Sequence, residues 1–288
     1  MRIGIVTTWF ERGAAYVSRQ YAELLSSQHD IYIYARAGEE QEKENTVWNQ
    51  YDICWDKERS ISRYIGAYLN LRQMKAWIRS KNLHIVLFNE QQWWPAVIAA
   101  RECDVVIGAY VDYYTKATVP FFGSYDFLLC NTRRHHSVFS KHEKAIYIPW
   151  GTNCDLFKPQ QKERRKDDRV VFFHSAGMNP ERKGTEIAIK ALDLLYQQRQ
   201  PCKMLIHTQR DIGIFFPDLK VVISKLIQAE VLEIITGTVA APGLYHRGDV
   251  YVYPTRLEGI GLTIAEAYAC GLPVIVPDEP PMNEFISP

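Results

Sequence analysis

Two glutamates, Glu258 and Glu266, bracket the part of this 288-residue chain best equipped for chemistry. They lie in DVYVYPTRLEGIGLTIAEAYACGLPVIVP, residues 249–277. A strand ends there at Pro254, and a loop carries Glu258, Gly259, Ile260 and Gly261. A helix is expected from about Leu262 to Cys270, closed by Gly271, with Pro273 opening another strand. A glycine-flanked loop at a helix start leaves backbone N–H groups unpaired, and with the helix dipole these form a site for phosphate. Carboxylates accept hydrogen bonds from neighbouring hydroxyls, so a sugar or ribose is their natural partner. The plainer alternative makes Glu258 a helix-start charge, Glu266 a solvated helix residue and the glycines a tight turn. The apolar setting of Glu266 in TIAEAYACG weighs against that, because an unpaired carboxylate there is costly. Arg182 and Lys183 precede Gly184 at a second expected helix start, where the dipole disfavours cations unless an anion sits beside them.

The elements that must position these residues alternate short β-branched runs with longer helical patterns, the signature of βαβ units and parallel sheets. Strands are expected at Arg2–Trp9, Asp30–Arg36, His84–Phe88, Val105–Val111, Phe127–Asn131 and Ala145–Pro149. Helical stretches near 15–27, 57–80, 93–101, 117–125 and 133–140 separate them. A second set of strands follows at Val170–His174, Lys203–Thr208, Val231–Gly237, Asp249–Pro254 and Pro273–Pro277. Between the sets, KPQQKERRKDDR is polar and charged with no apolar anchor, a linker composition. The expectation is an α/β protein of two Rossmann-like domains, 1–157 and 170–288, joined by a linker at 158–169. Their facing sheet edges would enclose a cleft.

Composition excludes several classes. A net charge of +1 offers no argument for nucleic acid, and no apolar run approaches the ~20 residues that span a bilayer. Six scattered cysteines without a C-x-x-C pair argue against a zinc site or a disulfide framework, and for a reducing cytoplasm. No D-x-D triplet occurs, so a metal-bridged diphosphate is not expected. His135, His136 and His142 lack a further ligand between them and read as surface histidines on a helix.

The segment E258-G-I-G-L-T-I-A-E266 resembles the E-x7-E motif of retaining glycosyltransferases with the GT-B architecture, in particular those of family 4. The flanking D-V-Y-V-Y-P-T and E-A-Y-A-C-G-L-P-V-I-V agree. So do the glycine-bearing loop Glu11-Arg12-Gly13-Ala14, the segment Ile148-Pro149-Trp150-Gly151-Thr152-Asn153, and Pro180-Glu181-Arg182-Lys183-Gly184. The resemblance implies a nucleotide-diphosphate sugar held by the second domain and a glycan or lipid-linked acceptor held by the first, in cell-surface polysaccharide or glycolipid assembly. It implies that Glu266 accepts from the ribose hydroxyls and that Glu258 contacts the transferred sugar. The amides around Gly259, Ile260, Gly261 and Leu262 would face the diphosphate or sugar edge. Lys183, with Arg182 beside it, would neutralise the leaving group, and the Gly13 loop would approach the donor. No cofactor or metal is implied. The family often carries another arginine near position 177, where this chain has Gly177. It also continues beyond a point equivalent to residue 288, so the second domain reads as incomplete.

In the first domain, Asp112 ends a buried strand where the family often presents a catalytic side chain, and a turn cap is the equal alternative. All seven tryptophans fall within residues 1–150. Chain order puts Trp9, Trp93 and Trp94 near the cleft, where they could stack on an acceptor sugar. The basic stretch Lys57–Lys81 carries apolar residues at near-helical spacing. It reads as an amphipathic helix, either with its polar face in water or lying on the inner face of a membrane. Other readings from the same residues are a nucleotide-sugar-binding, catalytically impaired subunit, a GT-B epimerase or a sugar phosphorylase. Association with itself or with a partner protein would supply the missing cover of the second domain.

Overall fold

Runs such as VVIGAYV and IVLF are apolar throughout, and a strand of that kind is stable only where both sheet faces are covered. They form the middle of a parallel sheet. The computed structural model describes residues 1–36, 43–57, 62, 64–160 and 168–286. It divides into two compact units, Met1–Pro149 and Trp150–Pro288.

The first unit runs β1 (Arg2–Thr7), α1 (Gly13–Ser26), β2 (Asp30–Ala35), β3 (Asp52–Trp55), α2 (Leu71–Ser80), β4 (Ile85–Asn89), α3 (Pro95–Arg101), β5 (Val106–Val111), β6 (Phe127–Cys130), α4 (Arg133–Val138) and β7 (Ala145–Tyr147). Its seven strands are ordered β3-β2-β1-β4-β5-β6-β7. The second unit runs β8 (Val170–Gly177), α5 (Thr185–Gln197), β9 (Cys202–Thr208), α6 (Ile212–Phe215), α7 (Lys220–Gln228), β10 (Leu232–Thr236), β11 (Val250–Val252), α8 (Leu262–Ala269) and β12 (Val274–Ile275). Its order is β10-β9-β8-β11-β12. Every strand pair in both sheets is parallel.

In both sheets the strand order reverses beside the first strand, β1 next to β4 and β8 next to β11. At such switch points the loops leaving adjacent strands diverge, and the carboxyl edge opens to a ligand. The loop after β8 carries Arg182 and Lys183; the loop after β11 carries Glu258. In the first unit the loop after β1 carries Gly13, and the loop after β4 carries Trp93 and Trp94.

Four expectations need correction. The sheet of the first unit has seven strands, not six: β3 (DICW) pairs with β2 as an edge strand, too short and too polar in its flanks to register as a run. The helix expected over 57–80 is confined to Leu71–Ser80, with Asn70 as its cap accepting from the Gln73 amide. Its apolar residues Met74, Trp77 and Ile78 are buried in the core, so they are not a free face for a membrane. Residues 58–61 and 63 of that stretch lie outside those described. The expected helix over 117–125 is a 3-10 turn, Val119–Ser124. Of the linker 158–169, residues 161–167 also lie outside the described residues. Residues 150–157, expected with the first domain, pack with the second, where Phe157 meets Tyr245 edge-on at 6.1 Å.

One glycine holds the two loops of the second unit together. Gly184 caps α5 at φ 68°, and a Cβ there would lie 2.0 Å from the Pro254 carbonyl oxygen. Neither the backbone angle nor the space admits a side chain. Gly184→Ala is therefore expected to lower stability by about 2 kcal/mol or more, read from the urea midpoint. Gly151→Ala, where a Cβ meets nothing within 4 Å, is the control and should change it by less than about 0.5 kcal/mol.

Candidate functional site

The loops after β8 and β11 are stitched to each other. The Arg256 amide donates to the Arg182 carbonyl at 2.9 Å, and Thr255 Oγ1 lies 3.2 Å from the same oxygen. The Arg182 guanidinium donates to the Leu257 carbonyl at 2.6 Å, and that of Arg256 bonds the Glu181 carbonyl and the Glu186 carboxylate. A loop pair fixed this way presents its side chains without first having to order them.

At its centre lies a charge cluster. Glu258 Oε1 accepts from Lys183 Nζ at 2.7 Å, Thr255 Oγ1 at 2.6 Å and the Tyr253 hydroxyl at 3.0 Å. Arg182 stands 3.5 Å from the same oxygen. Lys183 Nζ also bonds the Tyr253 hydroxyl and sits 4.9 Å from the centre of that ring. The side chains of Glu258 and Lys183 are 8% and 13% exposed, against 37% for Arg182. Burial alone would raise the Glu258 carboxyl, but the charges of Lys183 and then Arg182, with the hydrogen bonds from Lys183 and Thr255, hold it below its ordinary value. The misfit of a lysine at a helix start is thus answered inside the protein, by Glu258.

Glu266 is set differently. It lies within α8, half-buried, and its Oε2 accepts from the Tyr245 hydroxyl at 2.6 Å. Burial pushes its carboxyl up to about 7, against the smaller lowering effects of that hydrogen bond and of the Lys183 charge. Two carboxylates near one lysine are therefore driven in opposite directions, Glu258 toward permanent charge and Glu266 toward titration near neutrality.

Two helix N-termini flank the cluster. Gly184 caps α5 and Gly261 caps α8 at φ 82°, and neither helix has a side-chain cap. In α5 the Thr185 and Ile187 amides donate to the Pro180 and Gly184 carbonyls at 3.0 and 2.9 Å, and in α8 the Ile264 amide donates to the Gly261 carbonyl at 2.9 Å; the dipole at each N-terminus still suits an anion. Gly259 and Leu262 are partly exposed beside the α8 start, whereas the Ile260 side chain is buried at 3% and can contribute only backbone. Gly177 closes β8 at φ 55°, a conformation that disfavours an arginine there.

In the first unit, Gly13 is exposed at the start of α1, while Arg12 before it reaches the Glu90 carboxylate at 3.5 Å. Asp112 follows β5, half-buried, with the Tyr110 hydroxyl 3.5 Å away. Trp93 and Trp94 are half-buried after β4, against Tyr68 at 4.7 Å and Phe121 at 5.4 Å respectively. Trp9 is a core residue: it is 1% exposed, its indole donates to the Trp48 carbonyl at 2.6 Å, and Trp48 and Tyr51 pack edge-on against it. That leaves it no face for a sugar. His135 is not on the surface either; it is 1% exposed beside Tyr114, and burial, then Arg134, lower its imidazole to about 4.

Tyr245, Tyr253 and Thr255 are members of the site that sequence reasoning missed. Tyr251 and Tyr253 share a sheet face by the alternation of DVYVYPT, which was the available signal for one of them; nothing local marks Tyr245. Among the described residues no helix is long and apolar enough to cross a membrane.

Residues 168–288 match the family described as Glycosyl transferases group 1. One similar protein is the GDP-mannose-dependent monoacylated alpha-(1-6)-phosphatidylinositol monomannoside mannosyltransferase of Corynebacterium glutamicum, 26% identical over 54% of this chain and 44% of its own length. Another is the GDP-mannose-dependent alpha-(1-6)-phosphatidylinositol monomannoside mannosyltransferase of Mycolicibacterium smegmatis, 29% identical over 49% of this chain and 40% of its own. The chain thus spans less than half the length of these curated relatives in the matched region. Among solved structures, Anabaena Alr3699/HepE in complex with UDP-glucose aligns with TM-score 0.76 at 13% identity, over 100% of this chain and 83% of its own. A glycosyltransferase from Rickettsia africae aligns with TM-score 0.74 at 16% identity, over 96% and 78%. These likenesses establish the fold, a pair of parallel-sheet α/β units of the GT-B kind.

The Glu266 environment sets a pH dependence. A carboxyl raised in the folded state favours folding while it is protonated, and that contribution is lost as pH rises through its folded value. Stability should therefore fall between about pH 5 and pH 8 by an amount that Glu266→Gln removes. Urea midpoints for the two proteins should converge near the acid end and separate above neutrality, with the variant higher; parallel curves would place the titrating group elsewhere.

Proposed function

We propose that the chain is a retaining glycosyltransferase that moves a sugar from a nucleotide-diphosphate sugar to a glycan or lipid-linked acceptor. The observation that carries this is the Lys183–Glu258 pair at the switch point of the second sheet, between two helix N-termini that lack a side-chain cap, with Glu266 in one of those helices. The diphosphate takes the α8 amides around Gly259, Ile260, Gly261 and Leu262, together with Lys183 and Arg182, in place of a metal ion. Glu258 accepts from hydroxyls of the transferred sugar, and Glu266 from the ribose.

As the glycosidic bond breaks, negative charge grows on the leaving phosphate, and a lysine already fixed in position stabilises it with little reorganisation. The acceptor hydroxyl attacks on the face the diphosphate leaves, and a phosphate oxygen takes its proton, so configuration is retained without a protein nucleophile. The first unit supplies the acceptor side through the partly exposed Trp93 and Trp94, with Asp112 at the end of β5 as its catalytic side chain and the Gly13 loop approaching the donor. GDP-mannose is the first donor to test, because both curated relatives are named for it, with UDP-sugars second. Assembly of a cell-surface polysaccharide or glycolipid, at the cytoplasmic side of a membrane, is the role that fits such an acceptor.

A panel of GDP-, UDP-, ADP- and CDP-sugars titrated by calorimetry should yield one binder that is slowly hydrolysed. Lys183→Ala and Glu266→Ala should each weaken that binding by about tenfold or more, equivalent to ~1.4 kcal/mol. Asp112→Ala should leave binding intact and reduce turnover. Binding with no turnover under any acceptor would replace the transferase with a nucleotide-sugar-binding subunit, and unchanged binding by Glu266→Ala would remove the ribose assignment.

A further inference from the structure

His174 is fully buried in β8, beneath the loops just described. Its Nδ1 lies 2.8 Å from the Val252 carbonyl and its Nε2 lies 2.8 Å from the Thr185 hydroxyl. A carbonyl can only accept, so Nδ1 carries the proton, Nε2 is the acceptor, and the Thr185 hydroxyl must donate to it. Thr185 opens α5 two residues after Lys183. Val252 ends β11 one residue before Tyr253, whose hydroxyl binds Glu258. The imidazole also lies 6.1 Å from the Tyr253 ring, centre to centre. One side chain therefore touches the root of the segment bearing Lys183 and the root of the segment bearing Glu258.

We propose that His174 is a positioning residue: its neutral imidazole braces the Thr185 and Val252 segments together and so sets the Lys183–Glu258 pair in register before any ligand arrives. Burial lowers the imidazole to about 4, which outweighs the opposing hydrogen bond to Val252, so the neutral form persists through the physiological range. A protonated ring would lose the Nε2 acceptor and add a further cation to Lys183 and Arg182. The functional half of this inference rests on reading the Lys183–Glu258 pair as the donor site; the bracing itself does not.

The test uses Thr185→Val, which removes the hydroxyl and keeps the shape, Thr185→Ser, which restores the hydroxyl, and His174→Asn, which keeps a donor toward Val252 and loses the Thr185 bond. Each is checked for folding by circular dichroism. The ligand-free readout is the rate at which an amine-reactive reagent acylates Lys183, followed by peptide mass spectrometry with Lys190 as the internal reference. Thr185→Val and His174→Asn should raise the Lys183 rate several-fold, Thr185→Ser should match the wild type, and the double variant should be no worse than either single one. Where a sugar nucleotide binds, the first two variants should raise its KM about tenfold and change kcat less. A folded Thr185→Val protein with wild-type Lys183 reactivity, or a serine variant as reactive as the valine one, overturns the proposal. Altered reactivity without any donor binding leaves the brace standing and overturns only the donor reading.

Discussion

The second unit is organised around the problem of keeping an ammonium and a carboxylate largely out of water. Lys183 and Glu258 are each about nine-tenths buried, and the desolvation of two such ions costs several kcal/mol per ion unless the geometry is good and the remaining hydrogen-bonding capacity is filled. Here it is filled: Thr255 and Tyr253 complete the shell of one carboxylate oxygen, and the Tyr253 ring faces the ammonium. The stitched loops, the left-handed Gly184 against Pro254 and the neutral His174 beneath all follow from the requirement that these groups meet at a fixed distance.

The same arrangement explains why a bound anion would be accommodated at low reorganisation cost. The pair is internally balanced, so the protein does not hold a bare buried cation in the absence of ligand. The more exposed partner is Arg182, 3.5 Å from Glu258, which an anion can engage without breaking the Lys183–Glu258 bond. Glu266, in a separate environment behind Tyr245, titrates where Glu258 does not. Two identical side chains eight positions apart thus have different electrostatic characters because only one has a cation within hydrogen-bonding reach.

Much of this was legible in the chain. Alternating apolar strands and helical patterns gave two parallel-sheet units, and glycines around Glu258 with an apolar frame around Glu266 marked the loop and helix start. The missing parts are non-local. No local pattern pairs Lys183 with Glu258, because their meeting depends on β8 and β11 becoming neighbours. His174 reads as an apolar strand's lone histidine, and Tyr245 as an ordinary core aromatic. Trp9 lies close after β1 in sequence, but its burial depends on Trp48, from a loop between β2 and β3. Helical spacing over 57–80 continued through Gly66 and Asn70, a flexible residue and a cap, and the structure obeys those two residues rather than the period.

The separation of the paired charges has a consequence for how the molecule comes into being. Lys183 leaves the ribosome 75 residues before Glu258, and the strand that delivers its partner is added beside β8 only after β9 and β10 have been made. During that interval Lys183 stands at an unfavourable helix end without the carboxylate that it pairs with in the folded unit, so this loop is the natural last piece to set. The charge pair is in this sense a completion mark: its formation reports that β11 has docked in its place, and any event that pulls β11 from the sheet dissolves the site before it unravels the rest of the unit.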